Sequence, residues 1–381
     1  MSVSHLEELQ SVLGRLGRPH TPADVAGALR TLGVVVSDHV MLETMDALRR
    51  HSVGAGPLEH LLRLPGVTDV LVNGTDGVFI DRGQGLERTE LVMFDDEQVR
   101  RLAIRLATAA GRRLDDSQPF VDGRLADGTR LHAILAPVSS PGTCLSLRVP
   151  ASARLTLAQL RAQGSLAPEA HAILEGLVLN KVPFVISGGT GSGKTTLLAA
   201  MLGLVPGTER IVVVEDAREL APVHPHCIRL EARPPNTEGV GAIPLTALVR
   251  QALRMRPDRI VLGEVRGGEL CDMLTALNTG HEGGCGTVHA NSVTDVPARL
   301  EALAALGGLG REACHAQLAS ALRVAVHVRR LPDGARGVAE VGLFMRGTDG
   351  WVTIEPAVSF EPTGVLWNGG GAALRTLVGL S

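Results

Sequence analysis

The apolar positions of this 381-residue chain change period twice, and each change marks a boundary. From His5 to about Val53 they recur at helical spacing, with Leu6, Leu9, Val12, Leu13 and Leu16 on one stripe. Thr21-Pro22-Ala23-Asp24 has the order of an N-cap followed by proline at the first helical position, and Ser37 is placed to cap a third helix through Leu48. Residues 1–53 are therefore expected to form a helical segment that docks or links and carries no chemistry. Gly54-Ala55-Gly56-Pro57 breaks that period. The mixed pattern beyond it predicts a helix near Leu58 to Leu64, strands at Val67 to Val72, Val78 to Asp81 and Leu86 to Phe94, and a helix from Asp96 to Ala110. Phe120 to Leu125 and Arg130 to Leu135 flank the turn Ala126-Asp127-Gly128-Thr129 as a hairpin, and Cys144 to Val149 closes an α+β domain over 54–149. Residues 150–156 are expected to be a linker.

From Leu157 onward strand and helix patterns alternate, as a parallel sheet requires. Strands are predicted at Phe184 to Ser187, Ile211 to Val214, Ile228 to Leu230, Arg259 to Gly263 and Gly286 to His289. Helices are predicted at Thr195 to Leu204, Thr246 to Arg254, Gly268 to Leu277, Val296 to Leu306 and Arg311 to Leu322. Val324 to Arg329, Gly337 to Phe344 and Trp351 to Phe360 look like antiparallel strands appended to this α/β core, which spans 157–360. The stretch 361–381 is expected to be a tail.

The first strand of the core runs into Gly188-Gly189-Thr190-Gly191-Ser192-Gly193-Lys194-Thr195, which fits G-x-x-x-x-G-K-[ST] in the strand-to-helix context where that pattern cradles phosphates. Its glycines let successive backbone N–H groups turn toward an anion, and the helix that follows adds its positive dipole end. Lys194 is expected to reach the β- and γ-phosphates of a nucleotide and Thr195 to ligate Mg²⁺, with Thr196 supporting the first helical turn. Arg259-Ile260-Val261-Leu262-Gly263-Glu264 ends in an acid suited to Mg²⁺ or its waters. A second acidic strand end, Glu215-Asp216-Ala217-Arg218-Glu219, offers Glu219 to orient the attacking water, with Glu215 and Asp216 shaping the loop and the metal shell. In Gly280 to Ser292 the histidine spacing is not that of a zinc site. His289 instead fits a γ-phosphate sensor, with His281 supporting it.

Composition narrows the class. With 37 Lys+Arg against 40 Asp+Glu and a net charge of −3, no general phosphate-backbone affinity is advertised, and 2% aromatic residues leave little for base stacking. The basic residues are almost all arginine, since Lys181 and Lys194 are the only lysines. Five cysteines without a C-x-x-C pair point to a reduced compartment. Acids in the first nine residues and the lack of an apolar run of eighteen predict a chain that neither exports nor embeds itself.

The phosphate loop, the Glu215 to Leu220 acidic box, Leu262 to Glu269 and the Gly280 to Ser292 histidine box occur in an order that resembles the ATPase superfamily of type II and type IV secretion and type IV pili. Val67-Thr68-Asp69-Val70-Leu71-Val72-Asn73-Gly74, Val121 to Arg130 and Asn278-Thr279-Gly280-His281 are similar to the branch serving tight-adherence (Flp-type) pili and related conjugation systems. The resemblance spans roughly Pro57 to Phe344. It implies a RecA-like ATPase domain behind a PAS-like N-terminal domain, using ATP and Mg²⁺. It also implies a cytoplasmic homohexamer at the inner face of the membrane that works through inner-membrane platform proteins without contacting nucleic acid directly. Arg124, Arg130 and Arg148 are then expected to reach the phosphates from the first domain. A nucleic-acid translocase or a conjugation-type DNA-transfer ATPase is the alternative on the same core, and a non-hydrolysing, nucleotide-gated scaffold a third possibility.

Overall fold

A computed structural model describes residues 9, 12, 21–37, 40–42, 44–45, 54–83, 85–93, 95–150, 155–235, 240–330, 336–361 and 364–380. Contacts within the chain divide it into two compact units, Met1–Pro150 and Ala151–Ser381.

In the first unit, the helix Pro22–Thr31 begins where the pattern placed it. Thr21 accepts from the Asp24 amide and Asp24 returns the bond to Thr21, a reciprocal cap that satisfies two amides left unpaired at a helix start. Val25, Ala28 and Leu29 bury against Leu9. The Ser37 hydroxyl accepts from Val40 N, at the start of a helical turn over residues 40–42. Leu6, Leu13, Leu16 and Leu48 lie outside the described residues. Six strands follow: β1 Asp69–Asn73, β2 Val78–Asp81, β3 Leu86–Arg88, β4 Phe120–Arg124, β5 Arg130–Ile134 and β6 Cys144–Arg148. They pair antiparallel throughout in the order β3-β2-β1-β6-β5-β4. The helix Asp96–Ala109, capped by Asp95, turns Val99, Leu102, Ala103, Leu106 and Ala107 into the same core as the inward residues of β1, β5 and β6. The strand expected to run from Leu86 to Phe94 stops at Arg88, because β3 is an exposed sheet edge and the chain then leaves it to bury Met93.

The second unit holds a nine-stranded sheet in the order β15-β14-β13-β12-β7-β11-β10-β8-β9. Its strands are β7 Phe184–Ser187, β8 Ile211–Glu215, β9 Cys227–Glu231, β10 Arg259–Leu262, β11 Cys285–Val288, β12 Val324–Arg330, β13 Arg336–Arg346, β14 Val352–Glu361 and β15 Gly364–Trp367. Strands β7, β8, β10 and β11 are buried at every position, as expected for parallel strands covered by helices on both faces. Helices Lys194–Leu202, Leu245–Ala252, Glu269–Asn278, Val296–Leu306 and Arg311–Ala321 fall within two residues of their predicted limits.

The expectation of three appended antiparallel strands is corrected at β12, which pairs parallel with β7 and antiparallel only with β13. Val324 to Val328 are all buried, so β12 is an inner strand that completes a crossover after the helix Arg311–Ala321, rather than the first strand of a wing. Two helices without a predicted counterpart, Leu157–Ala162 and Pro168–Leu179, precede β7. The second has only Glu169, His171 and Glu175 as polar residues among twelve, so its polar face is thin and reveals the period weakly. The stretch expected to be a tail forms β15 and the helix Gly371–Val378, whose Leu374 and Val378 join the main core.

That last helix docks on Pro168–Leu179 at Gly176, where a Cβ would stand 2.4 Å from the Val378 carbonyl oxygen and 2.7 Å from the Val378 Cβ. Gly176→Val is expected to push the two helices apart and to cost roughly 1–3 kcal/mol of stability by overpacking. Urea denaturation of the variant checks this, and an unchanged midpoint would show that the helices do not meet there.

Candidate functional site

Strand β7 ends at a turn that only glycine can make. Gly188, Gly191 and Gly193 have φ of 154°, 69° and 97°, and a Cβ on Gly188 would lie 2.3 Å from the Val328 carbonyl oxygen of β12. Above Gly189 and Gly191 there is open space. The helix Lys194–Leu202 starts from Gly193 with no side-chain cap, so its first amides are left to a ligand. Ser192 Oγ ties the loop by donating to Gly189 O at 2.9 Å. The Lys194 ammonium folds back onto its own loop, donating to Gly188 O at 2.9 Å and Gly189 O at 2.8 Å. Burial lowers its pKa, against the pull of the Glu264 and Glu219 carboxylates. A buried cation held by two carbonyls at the rim of an uncapped helix start is suited to an incoming phosphate, which offers stronger acceptors than either carbonyl.

The neighbouring strand ends bring charged groups to the same end of the sheet. Glu264, two residues past β10, bonds Arg266 Nη2 at 2.9 Å and His289 Nε2 at 3.0 Å. Burial pushes the Glu264 pKa up, but Arg266, His289 and Lys194 outweigh it and hold the carboxyl below its usual range. His289, just past β11, is shifted down by burial and by Lys194, against Glu264. A neutral imidazole then donates to Glu264 through Nε2–H. Arg266 also bonds Asp216 beyond β8, so one guanidinium joins the acids of two strand ends. Glu219 sits on the exposed part of the same loop and feels Lys194 and Arg266 electrostatically.

Two expectations are corrected. Glu215 does not face a metal: its carboxylate turns into its own loop, where Oε1 accepts from Glu219 N at 2.9 Å and Leu220 N at 2.8 Å. Its Oε2 is buried without a hydrogen-bond partner among the described residues, and burial pushes the Glu215 pKa up to about 6. His281 does not support His289. Its ring and amide bond Ala276 O at the end of the helix Glu269–Asn278, before β11, whereas His289 follows that strand. Groups that hold Glu264 in place carried only a weak signal. Thr287 Oγ1 donates to Gly263 O at 2.6 Å, and the buried Glu269 carboxylate accepts from the amides of Arg266 and Gly267. An acid three residues after Arg266 marks the second of these, as in a capping box.

The oxygen donors available for a divalent ion are the Thr195 hydroxyl and the carboxylates of Glu264 and Asp216. Among the described residues no three His, Cys, Asp or Glu side chains converge as a metal cage. Few carboxylates beside a phosphate cradle is a donor set that suits Mg²⁺, which keeps waters and shares substrate phosphates.

In the first unit, the ladder registers set Arg124 opposite Arg130, Arg130 opposite Arg148 and Arg148 opposite Asp69, one row across four strands. Arg148 pairs with Asp69 at 3.0 Å, and Arg124 Nε donates to Gly128 O at 3.2 Å. The three predicted arginines thus form a single positive line, made by strand register rather than by sequence proximity.

The model of the family "Type II/IV secretion system protein" matches residues 51–343. A Mycobacterium tuberculosis protein provisionally named a conjugal transfer protein is 55% identical over 324 residues, covering 84% of this chain and 92% of its own length. The type IV secretion system protein VirB11 of Brucella suis is 31% identical over 318 residues, covering 75% of this chain and 88% of that protein. The X-ray structure of the Legionella pneumophila ATPase DotB superposes with a TM-score of 0.55 at 20% identity, over 76% of this chain and 79% of that one, and shows the same fold.

Glu215→Gln tests the acidic loop. Gln keeps the acceptor for both amides but cannot ionise. Because burial raises the wild-type pKa from 4.5 to about 6, this group's contribution is most favourable below pH 4.5 and is lost as pH rises through 6. The variant's stability advantage in urea melts is therefore expected to grow from pH 4.5 to 7 by about 2 kcal/mol. A difference independent of pH would remove Glu215 from that role.

Proposed function

The chain belongs to the type II/IV secretion system protein family, and from that premise we propose that it is a cytoplasmic hexameric ATPase driving an inner-membrane machine for pilus assembly or secretion. At the level of the family, it is a nucleotide-binding secretion or conjugation ATPase with a RecA-like core behind an N-terminal domain. The observation that supports the ATPase part of this reading is the convergence of Lys194, Glu264 and His289 at one end of the sheet, around an uncapped helix start.

In this reading the loop amides and Lys194 bind the phosphates, and Thr195, Glu264 and Asp216 would hold Mg²⁺, which would supply positive charge beside them. Glu219 orients the attacking water, its position on the exposed part of the loop leaving it room to reach substrate. His289, neutral and bonded to Glu264, changes partner when the γ-phosphate leaves, and so reports hydrolysis to the end of β11. The arginine row of the first unit is the candidate source of a guanidinium finger, worth around 10³–10⁵ in rate where one stabilises the transferring phosphoryl. Among the described residues no helix is long and apolar enough to cross a membrane, so membrane work falls to platform partners.

The tight-adherence pilus assignment rests on Val67 to Gly74, Val121 to Arg130 and Asn278 to His281. A conjugation-type DNA-transfer role is the second reading, favoured by the name of the Mycobacterium tuberculosis relative. Stimulation of turnover by single-stranded DNA with a steep salt dependence would select it.

Lys194→Ala is expected to abolish ATP turnover while sparing the fold, as read by phosphate release and thermal melting. Wild-type turnover in that variant would remove Lys194 and its loop from the site of hydrolysis and overturn the proposed motor mechanism. Glu219→Gln is expected to lower turnover by about 10²–10⁴-fold with nucleotide still bound. If Glu264→Gln does this and Glu219→Gln does not, the roles of the two acids are exchanged.

A further inference from the structure

The phosphate loop has two flanks. On one, β11 and β10 deliver His289 and Glu264. On the other, β12 pairs with β7 as far as His327 opposite Ser187, then runs on beside the loop, where the Val328 carbonyl oxygen is the nearest atom to a Cβ built on Gly188. Strand β13 returns along β12 from Arg336, with Arg336 opposite Arg330. This hairpin end brings Arg336 to the loop itself: its Cδ would lie 3.5 Å, and its Cβ 3.8 Å, from a Cβ on Gly193.

Gly193 is the N-cap of the loop helix, in the left-handed region and with no side-chain cap. A helix start carries a positive partial charge, so an arginine laid along it is repelled unless an anion lies between the two. A Cβ at position 193 would rest in ordinary van der Waals contact with the arginine stem, so the left-handed turn is what requires glycine there, and Arg336 lies within a side chain's reach of the loop.

We propose that Arg336 is a nucleotide-binding residue that grips the diphosphate portion of bound ATP and ADP, from the flank of the loop opposite Glu264 and His289. The proposal deepens the ATPase reading and rests on it. Strand order separates the tasks: groups past β10 and β11 meet the phosphate that leaves, while Arg336, on the β12 side of the P-loop strand, meets the phosphates that stay. Arg336 therefore sets how long ADP is held after hydrolysis. Its fork of donors suits two oxygens of one diphosphate, a geometry that lysine matches only as a point charge.

The test uses the purified full chain with fluorescent derivatives of ATP and ADP in the presence of Mg²⁺, comparing wild type, Arg336→Ala and Arg336→Lys. Arg336→Ala is expected to weaken both nucleotides by a similar factor, about 10-fold or more for a lost charge-assisted phosphate contact, with Arg336→Lys intermediate. In steady-state turnover KM is expected to rise by more than kcat falls, and ADP to dissociate faster. The nucleotide-free Arg336→Ala protein is expected to melt no lower than wild type, because removing a cation from a helix start relieves repulsion, and this separates lost binding from lost folding. Wild-type affinity for both nucleotides in Arg336→Ala would overturn the proposal and leave the ATPase reading intact. A loss confined to ATP would overturn the diphosphate assignment by placing the guanidinium on the γ-phosphate. A wild-type protein that binds neither nucleotide would sink the ATPase reading and the proposal together.

Discussion

Close approach of backbone to neighbour, at the strand ends of the nine-stranded sheet, is the constraint on which the site depends. Gly188 lies against the Val328 carbonyl, Gly263 against the Glu215 side chain, and Gly193 against the stem of Arg336. The first two approaches leave no space for a side chain, whereas Gly193 is required by its left-handed φ. The contact at Gly188 joins the ends of β7 and β12, and the contact at Gly263 joins those of β10 and β8 into the same rim. A side chain at 188 or 263 would therefore displace a strand end, and one at 188 or 193 would strain a turn.

Charge is then arranged on this rim so that no group is satisfied independently of the rest. Arg266 holds Asp216 and Glu264, Glu264 holds His289, and Lys194 rests on the loop that an anion would occupy. An incoming phosphate competes for Lys194 first. Once the ammonium turns toward it, Glu264 and His289 experience a different field and their hydrogen bonds shift in strength. The coupling needs no long pathway, because all five groups belong to one electrostatic cluster in a partly desolvated place where charge is weakly screened.

The elements carrying the site were legible in the sequence because their signals are local. An apolar run followed by Gly188 to Thr195 reports its strand, turn and helix within fifteen residues, and Thr21 with Asp24 reports a helix start within four. The side-chain roles of Glu215 and His281 were not legible, since an acid at a strand end looks the same in sequence whether it faces solvent, metal or its own loop. Parallel pairing of β12 escaped for a related reason: Val324 to Val328 reads as a strand, but its partner is set by the preceding helix and by burial on both faces. The helix Pro168–Leu179 escaped because alanine and leucine break up its outer face, leaving only Glu169, His171 and Glu175 as polar markers of the helical period. Arg336 lies 143 positions from Gly193, and nothing in the local pattern joins them.

The antiparallel wing has a mechanical consequence. Strand pairing runs from β7 through β12, β13 and β14 to β15, with register shifts at His327/Val328 and Val341/Gly342, so the wing is joined directly to the phosphate-loop strand. Four inter-strand steps of about 4.8 Å give it a length of roughly 19 Å. A tilt of about 10° at β7 would sweep the outer edge through roughly 3 Å, on the same lever arithmetic. The last helix meets the helix that leads into β7 at Gly176, so a displacement of β7 has two routes to the outer edge, the strand ladder and the helix pair.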